Sequence, residues 1–441
     1  MSGAHATVLA VISLGIAGCR EADVHADASP PVSQPPKPAR CREVAAGEPI
    51  QPALDDPATP AVCLGVGTHA GPLRLARAVT LWGPPTAVVH SRTGTVIELV
   101  AGGAAIVGLT IDGTGGQFDQ LDAAVRVTAS DTRVEGITVI NATFGVLVDR
   151  SARVRIVGNR IGGSREPQTG MRGDTIRLWE TSDSVIADNI VEDGRDVVIW
   201  YSRKNQILNN RVVRGRYGLH FMYSHDNQVI GNQLLDGVVG IFVMYSRGLA
   251  LRDNLIAGAA GAAGMAIGLK DSGNITITGN GLIHDQVGIY LDSSPMQYGD
   301  QVEIERNVLR LDDTAFVFHA SSHHVLVRDN DLADNQTQVR VDGGGTATDV
   351  TWHGNFFDDY AGYDLDGDDV GDVPYELRSL SNQLTSSNPD LALFRGTPAL
   401  ALVDAATHLD PLYQPQALLA DPAPRMAPRW ALDRAPGVAT P

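Results

Sequence analysis

The sequence predicts an all-β fold, a right-handed parallel β-helix (a solenoid) with about 22 residues in each coil. From about residue 100, short apolar strands such as "IVGNRI", "ILNNRV" and "VIGNQL" recur at nearly constant steps. Because Asn and Gly tolerate a left-handed backbone, we expect a ladder of them along one corner. They precede the strands at Gly108, Gly136, Asn159, Asn189, Asn210, Asn232, Asn254, Asn280, Asn307, Asn330 and Asn355.

The composition supports a chain of many turns and argues against one class of partner. There are 47 glycines among 441 residues, and the formal net charge is −17. A nucleic-acid-binding protein needs a basic surface to displace counterions, so we expect no nucleic-acid partner. The Leu-x-x-Leu-x-Leu pattern of leucine-rich repeats is absent, and the period is about half of that expected for the blades of a β-propeller.

The start of the chain predicts export and a membrane anchor. Residues 1–19 contain "ATVLAVISLGIAGC", an apolar stretch with small residues before Cys19, as in a bacterial lipoprotein signal peptide. We therefore expect a periplasmic protein anchored through lipid on Cys19. The usual Lys or Arg near the start is missing, and a plain secretory signal is the alternative. Residues 20–40 follow as a Pro-rich flexible tether.

Residues 41–98 are expected to form an N-terminal cap and the first coils. With Cys19 lipidated, Cys41 and Cys63 remain as a pair, and an oxidising periplasm favours a disulfide between them. Two free thiols or two metal ligands are the alternatives.

Residues 99–356 carry the regular repeat, which predicts the side chains that face outward. Aliphatic residues occupy one parity of each strand before the "YS" and "DS" turns, so the other parity must point away from the core. The first outward column reads Trp179, Trp200, Met222, Met244, Lys270, Asp292 and His319. The second reads Arg177, Val198, His220, Phe242, Gly268, Tyr290 and Val317.

Met222 and Met244 lie one period apart in the sequence, so we expect them to stack on the outer face. Two thioethers about one rung apart could share a soft ion such as Cu(I), with His220 or His225 as a further ligand. A surface that binds a partner, and packing against the C-terminal segment, are two alternatives for this stripe. The aromatic residues of such a partner surface are Trp179, Trp200 and Phe242.

Residues 357–376 form an acidic loop that contains "YDLDGDDVGD". Closely spaced carboxylates on a turning backbone suit a hard cation such as Ca²⁺, although the loop departs from the EF-hand pattern. The candidate ligands are Asp364, Asp366, Asp368 and Asp372. A solvated acidic turn is the alternative. Residues 377–441 then show helical spacing, and we expect them to cap the last coil or to dock on a partner.

Several of these segments together resemble the NosD-type periplasmic proteins that are needed to mature nitrous oxide reductase. The resemblance covers roughly residues 60 to 425 and rests on "GDTIRLWETS", "RYGLHFMYSHDN", "VGIFVMYS", "GIYLDSSP" and "WHGNFFDDYAGYDLDGDDVGDVPYELRSLS". Two features depart from that family, which usually has an ordinary cleaved signal: the lipoprotein-type start and the Pro-rich tether.

The resemblance implies a role in copper handling. Such a protein accepts Cu(I) from a lipoprotein copper chaperone, works with the permease and ATPase subunits of an ABC transporter, and assists copper-site assembly in nitrous oxide reductase. It also implies that copper binds transiently near Met222, Met244 and His220, and that the C-terminal end docks on the permease.

Two other functions compete with this interpretation. Many β-helices cleave or bind acidic polysaccharides, and a lyase or epimerase could use Arg195, Asp196, Lys270 and Asp292 for acid–base work. The surrounding Trp and Met residues suit sulfur chemistry better, and the sequence contains no nucleophile elbow, zinc signature, phosphate loop or Cys–His pair. We therefore expect no enzymatic activity. The third function is a purely structural docking scaffold.

Overall fold

A computed structural model describes residues 34–164, 166–409 and 414–429. Its strands stack into three parallel sheets that form a β-solenoid of about 14 turns, with about 23 residues per turn, which confirms the predicted fold class. Cys19 and most of the 20–40 tether lie outside the described residues. No helix within the described ranges is both long enough and apolar enough to cross a membrane.

Each coil passes through the three sheets in turn and then enters the first sheet of the next coil. Sheet 1 has 14 strands: Arg42–Val44, Ala61–Leu64, Thr80–Trp82, Ala105–Val107, Arg133–Glu135, Arg155–Val157, Val185–Ala187, Gln206–Leu208, Gln228–Ile230, Ala250–Arg252, Ile275–Thr278, Val302–Glu305, Val325–Arg328 and Thr351–His353. Sheet 2 has 13: Gly67–Ala70, Ala87–His90, Thr110–Asp112, Thr138–Ile140, Arg160–Gly162, Ile190–Glu192, Arg211–Val213, Gln233–Leu235, Leu255–Ala257, Gly281–Ile283, Val308–Arg310, Asp331–Ala333 and Phe356–Phe357. Sheet 3 has 12: Leu73–Leu75, Ile97–Leu99, Ala123–Val127, Phe144–Asp149, Ile176–Trp179, Asp196–Trp200, Tyr217–Met222, Val239–Met244, Met265–Lys270, Val287–Asp292, Thr314–His319 and Val339–Asp342.

The core runs along the inside of the solenoid. Inward side chains of all three sheets pack into one apolar column, in which Phe221, Phe316 and Phe318 are completely buried. Because strand side chains alternate between faces, every second residue of a sheet 3 strand is left on the outer surface. That alternation positions the candidate site.

A buried asparagine ladder holds one corner, but its physical basis differs from the expectation. The left-handed backbone belongs to the residue before each asparagine, such as Gly158, Asp188 or Gly231, whose φ angles are +64°, +55° and +68°. The asparagines themselves are buried and bond to one another. Asn210 Nδ2, for example, donates to Asn232 Oδ1 at 3.0 Å. Asparagine is therefore required here for its amide rather than for its backbone freedom.

The predicted corner positions in the first coils are shifted by one residue. Gly108 and Gly136 occupy the left-handed position, with φ of +81° and +63°. The residues equivalent to the ladder asparagines are Leu109 and Ile137, both completely buried. The ladder begins at Asn159, whose Oδ1 accepts the Ile137 N–H at 3.0 Å.

The N-terminal end is covered by a short helix and by the end of the tether. Helix α1 spans Gln51–Asp55, and Cys41 and Cys63 form a disulfide with a Cα–Cα distance of 5.7 Å. Trp82 Nε1 donates to the Pro35 carbonyl at 3.2 Å, so the last part of the tether contacts the first coils instead of remaining free.

The C-terminal segment combines the expected helices with an unexpected strand pair. Helices α2 and α3 span Leu380–Ser387 and Pro398–Leu409, and Thr169–Met171 and Pro389–Phe394 form 3₁₀ turns. Tyr375–Arg378 pairs antiparallel with Ala417–Asp421. Asp421 then accepts the Asn355 Nδ2–H at 2.9 Å and the Asn355 N–H at 3.0 Å. Its carboxylate therefore ends the asparagine ladder, and the segment caps the solenoid.

Candidate functional site

The outer face of sheet 3 has the two columns in the predicted register. Trp179, Trp200, Met222 and Met244 are successive parallel partners, as are Lys270, Asp292 and His319 after them. His220 and Phe242 are partners in the second column. The coils from Trp179 to Met244 are nearly equal in length, and the longer coils that end at Lys270 and His319 keep the register because their extra residues lie between strands.

Met222 and Met244 lie one rung apart, which corresponds to about 4.8 Å between strands. Both side chains are half-buried. The two thioethers are thus reachable from solvent but shielded by their neighbours. Soft sulfur ligands of this kind favour Cu(I) over hard cations.

His220 stands two residues before Met222 on the same face of the strand Tyr217–Met222. It is only 7% exposed, although it points outward from the sheet. Aromatic rings surround it: the ring centroids of Trp200, Tyr217 and Phe242 lie 5.4, 4.7 and 6.1 Å away. These rings exclude water from the imidazole.

The imidazole of His220 is neutral and has free nitrogens. Burial lowers its pKa to about 4, although the nearby Asp196 carboxylate acts in the opposite direction. Neither Nδ1 nor Nε2 has a hydrogen-bond partner among the described residues. A buried polar atom without a partner needs an explanation, and a neutral imidazole nitrogen is a metal ligand. The site therefore fits a soft metal ion.

His225, the other candidate histidine, is placed differently. It lies beyond the turn that follows Met222, it is exposed, and it forms a bridge with Arg203. Its Nδ1 accepts the Arg247 N–H at 3.1 Å. One ring nitrogen is thus used to hold the next coil, which gives His225 a role in the corner of the solenoid.

Sequence reasoning missed Met265. An ideal Cβ at Gly268 would lie 2.4 Å from the Met265 sulfur and 2.8 Å from the Phe242 ring, so the thioether fills the space above Gly268 in the second outward column. Met265 has the same parity as Ile267 and Leu269, which point into the core, so strand alternation predicted an inward side chain for it. The absence of a Cβ at Gly268 was the available signal.

Aromatic side chains extend the stripe toward the N-terminal end and along the adjacent corner. The Trp179 and Trp200 rings meet edge to face at 6.0 Å. Tyr201, Tyr223 and Tyr245 stack at 5.3 and 4.9 Å, and the first two are 45% and 43% exposed. Exposed aromatic surface of this extent is typical of a protein interface.

The C-terminal helices lie at the other end of sheet 3. Asn382 of α2 accepts the Val341 N–H at 3.4 Å, and Arg395 pairs with Asp342 at 2.8 Å. The strand Val339–Asp342 is five rungs from Met222. The C-terminal segment thus packs on the last coil, and Met222 and Met244 remain half-exposed.

The groups that a lyase or epimerase would use are engaged in ion pairs. Lys270 Nζ lies 2.6 Å from Asp292 Oδ2, and this contact raises the pKa of Lys270. Arg195 pairs with Asp174 at 2.7 Å, and Asp196 pairs with Arg216. These pairs tie neighbouring coils together.

The acidic loop brings three of its four predicted ligands together. Carboxylate oxygens of Asp364, Asp366 and Asp368 lie within 4.8 Å of one another. The charge of Asp368 raises the pKa of Asp366. Asp372 is not in this group, and its Oδ2 accepts the Leu365 N–H at 2.6 Å. The calcium site stays a prediction, with three carboxylates as its ligands.

A family model described as "Periplasmic copper-binding protein (NosD)" matches residues 162–362. Two curated relatives carry the name "Probable ABC transporter binding protein NosD". The one from Pseudomonas aeruginosa is 28% identical over 358 residues, covering 70% of this chain and 75% of the relative. The one from Stutzerimonas stutzeri is 26% identical over 390 residues, covering 77% and 81%.

Solved structures show similarity of fold alone. The A-module of the mannuronan C-5 epimerase AlgE6 from Azotobacter vinelandii has a TM-score of 0.53 and 12% identity, covering 68% of this chain and 93% of that one. The catalytic domain of a GH87 alpha-1,3-glucanase has a TM-score of 0.54 and 13% identity, covering 74% and 71%.

Proposed function

Because this chain is a NosD-type protein, we propose that it binds copper in the periplasm and works with an ABC transporter in assembling the copper sites of nitrous oxide reductase. Its role is to hold and pass on Cu(I), without catalysing a covalent reaction. The donor is a lipoprotein copper chaperone, and the acceptor is the reductase. The transporter contributes permease and ATPase subunits.

One observation carries the proposal. A buried neutral imidazole, whose two nitrogens have no partner among the described residues, lies on the same strand face as Met222, and Met222 is register-paired with Met244. These three groups are uncharged, and thioether and imidazole ligands suit Cu(I) better than hard cations. The buried Asp196 carboxylate near His220 is paired with Arg216. Since transfer requires release, a site of few neutral ligands on a half-exposed surface suits a relay.

The neighbouring aromatic residues would serve the same exchange. Trp200 and Phe242 enclose His220 and keep water away from it. Trp179 and the three stacked tyrosines offer a flat surface on which a copper-carrying protein could dock while its ion lies near Met222. We also propose that lipid on Cys19 keeps the protein at the membrane, close to the transporter.

The test replaces sulfur without changing packing. In a Met222→Leu/Met244→Leu variant the volume and the apolar contacts are kept, so loss of copper binding reports on sulfur itself. The matched control is Met171→Leu/Met296→Leu, which removes two sulfurs from positions that are 55% and 62% exposed elsewhere on the surface. Cu(I) affinity is measured by competition with a chromogenic chelator, and reductase loading is measured in cells.

We expect the Met222/Met244 variant to lose Cu(I) affinity and reductase loading, and the control to keep both. Full loading of the reductase by the Met222/Met244 variant would contradict the copper assignment. If neither the variant nor the unaltered protein binds Cu(I) while loading continues, the chain is a docking scaffold. Turnover of uronate polymers would instead indicate a β-helix lyase or epimerase.

A further inference from the structure

A cleft of about 630 Å³ opens on the outer face of sheet 3, on the N-terminal side of the methionine pair. It is within the size range of small-molecule sites. Its charged and apolar lining consists of Leu121, Arg126, Asp149, Arg150, Arg177 and Trp179. Trp179 is therefore shared between this cleft and the aromatic stripe, but the cleft has a different chemistry.

Three arginines and one aspartate line this cleft. Arg126 and Arg177 stand two rungs apart in the second outward column, with Leu147 between them. Arg177 has a side chain that is only 13% exposed, and its closest acid is Asp149, with 3.5 Å between Nη2 and Oδ1. Arg150 lies at the rim, where it is 79% exposed and pairs with Glu180 at 3.7 Å.

The two inner arginines have unused donors. The Nε–H groups of Arg126 and Arg177 are buried and have no hydrogen-bond partner within the residues that the structure describes. Arg126 Nη2 donates to the Leu121 carbonyl at 2.6 Å, which fixes the position of its guanidinium. One guanidinium group can bind a carboxylate through two parallel N–H donors. Buried donors without partners are rare in native structures.

The charge of the cleft contrasts with that of the whole chain. The protein has a formal net charge of −17, whereas three arginines and one aspartate line the cleft and Glu180 pairs with Arg150 at its rim. Leu121 and the Trp179 ring supply apolar walls, and the Arg177 guanidinium lies 5.9 Å from the centre of that ring. The cleft thus combines anion donors with a flat apolar surface.

We propose that this cleft binds a small organic carboxylate with a flat body. The carboxylate would pair with Arg126 and Arg177, and the flat body would lie against Trp179 and Leu121. The proposal does not depend on copper, since none of the cleft residues named above is a candidate copper ligand.

The experiment titrates benzoate into the full-length protein by calorimetry, with benzamide as the neutral probe of the same shape and a triglutamate peptide as the probe for acidic protein segments. We expect benzoate to bind at least about tenfold more tightly than benzamide, because the charged form gains paired guanidinium contacts. Arg177→Gln and Arg126→Gln should each lower the affinity for benzoate by about tenfold, and high salt should lower it as well.

The control is Arg252→Gln, which removes the same charge from an exposed position on sheet 1 and should leave benzoate affinity unchanged. Arg177→Lys keeps the charge but loses the planar fork, so it should weaken binding while thermal unfolding shows an intact fold. Equal affinity for benzoate and benzamide, or no benzoate binding, would overturn the proposal. So would tighter binding of triglutamate than of benzoate, which would make the cleft a contact for an acidic protein segment.

Discussion

At the scale of single residues, His220 couples the candidate site to the stability of the fold. Burial lowers its pKa from 6.5 to about 4, so the unfolded chain takes up a proton at higher pH than the folded one. The contribution of His220 to the free energy of unfolding therefore falls as the pH drops from 6.5 to 4. Each pKa unit corresponds to about 1.4 kcal/mol, so this loss approaches about 3 kcal/mol.

This gives a prediction for His220→Phe, which keeps an aromatic ring among Trp200, Tyr217 and Phe242. The variant should lose less stability than the unaltered protein between pH 6.5 and pH 4, because it has no imidazole to protonate. Urea unfolding at the two pH values measures the difference. An identical pH dependence in both proteins would show that His220 is not buried as a neutral group.

Two buried aspartates act in the opposite direction. Burial raises the pKa of Asp285, and burial together with the charge of Asp285 raises the pKa of Asp312. Asp285 N–H donates to Asp312 Oδ1 at 2.8 Å, and the buried Oδ2 atoms of both carboxyls lack partners among the described residues. A folded-state pKa above the ordinary value of 3.8 means that stability is lost as the pH rises above 3.8.

Asp312→Asn should therefore stabilise the protein at neutral pH. The amide keeps the Oδ1 acceptor, carries no charge, and matches Asn335, which occupies the same corner one coil later. We expect a gain of about 1 kcal/mol or more at neutral pH and little change near pH 3.8. Chemical denaturation at both pH values checks this, and a loss of stability at neutral pH would contradict it.

At the scale of elements, the asparagine ladder predicts that the stability lost on replacing one of its asparagines depends on the position of that asparagine in the stack. Asn232 Oδ1 accepts both the N–H and the Nδ2–H of Asn210, whereas Asn159 Oδ1 accepts only the Ile137 N–H. Replacing Asn232 by Leu therefore leaves one more buried N–H donor without an acceptor than replacing Asn159 by Leu does. We expect Asn232→Leu to cost about 3 kcal/mol or more, and Asn159→Leu to cost at least about 1 kcal/mol less.

Denaturant midpoints of the two ladder variants provide the measurement. Leucine is a fair probe at this corner because Leu109 fills the equivalent place in an earlier coil without exposure. Equal costs for the two substitutions would mean that the side-chain amides contribute little beyond the backbone bonds.

The elements also show which features the sequence could predict. The outward columns followed from strand alternation and near-equal coil lengths, which require no knowledge of distant residues. Met265 was missed because it has the parity of the inward Ile267 and Leu269, whereas the structure places its sulfur over Gly268 on the outer face. The left-handed backbone was assigned to each ladder asparagine, whereas it belongs to the residue before it. The sequence pattern cannot separate a left-handed position from the buried amide that follows it. Asp421 is far from Asn355 in the sequence and outside the repeat, so no periodicity connects the two.

At the scale of the whole molecule, the C-terminal segment completes the solenoid. Arg425 Nε donates to the Gly354 carbonyl at 2.7 Å, and its guanidinium pairs with Asp331. Asp421 is completely buried against Asn355. Removing the Asp421 carboxylate should therefore loosen the last coil while leaving the middle of the stack intact, because each coil contacts mainly its neighbours.

For Asp421→Ala we expect faster amide hydrogen exchange in the strands Thr351–His353 and Phe356–Phe357, and unchanged exchange in Tyr217–Met222. Glu376→Ala is the control, since it removes an exposed carboxylate from the same antiparallel strand pair. Uniformly faster exchange along the solenoid would contradict the prediction and indicate one global unfolding unit.

The carboxylate of Asp421 also has a consequence for polymerisation. Each ladder asparagine accepts from the coil before it and donates to the coil after it, so an asparagine always leaves a donor waiting for another layer. A carboxylate only accepts hydrogen bonds, so it ends the ladder without leaving a donor for a further layer. Without such a terminator, the last coil would offer a row of open donors beside bare strand edges, which is a template for another molecule. We therefore expect the Asp421 carboxylate to help prevent this stack from growing into a fibre.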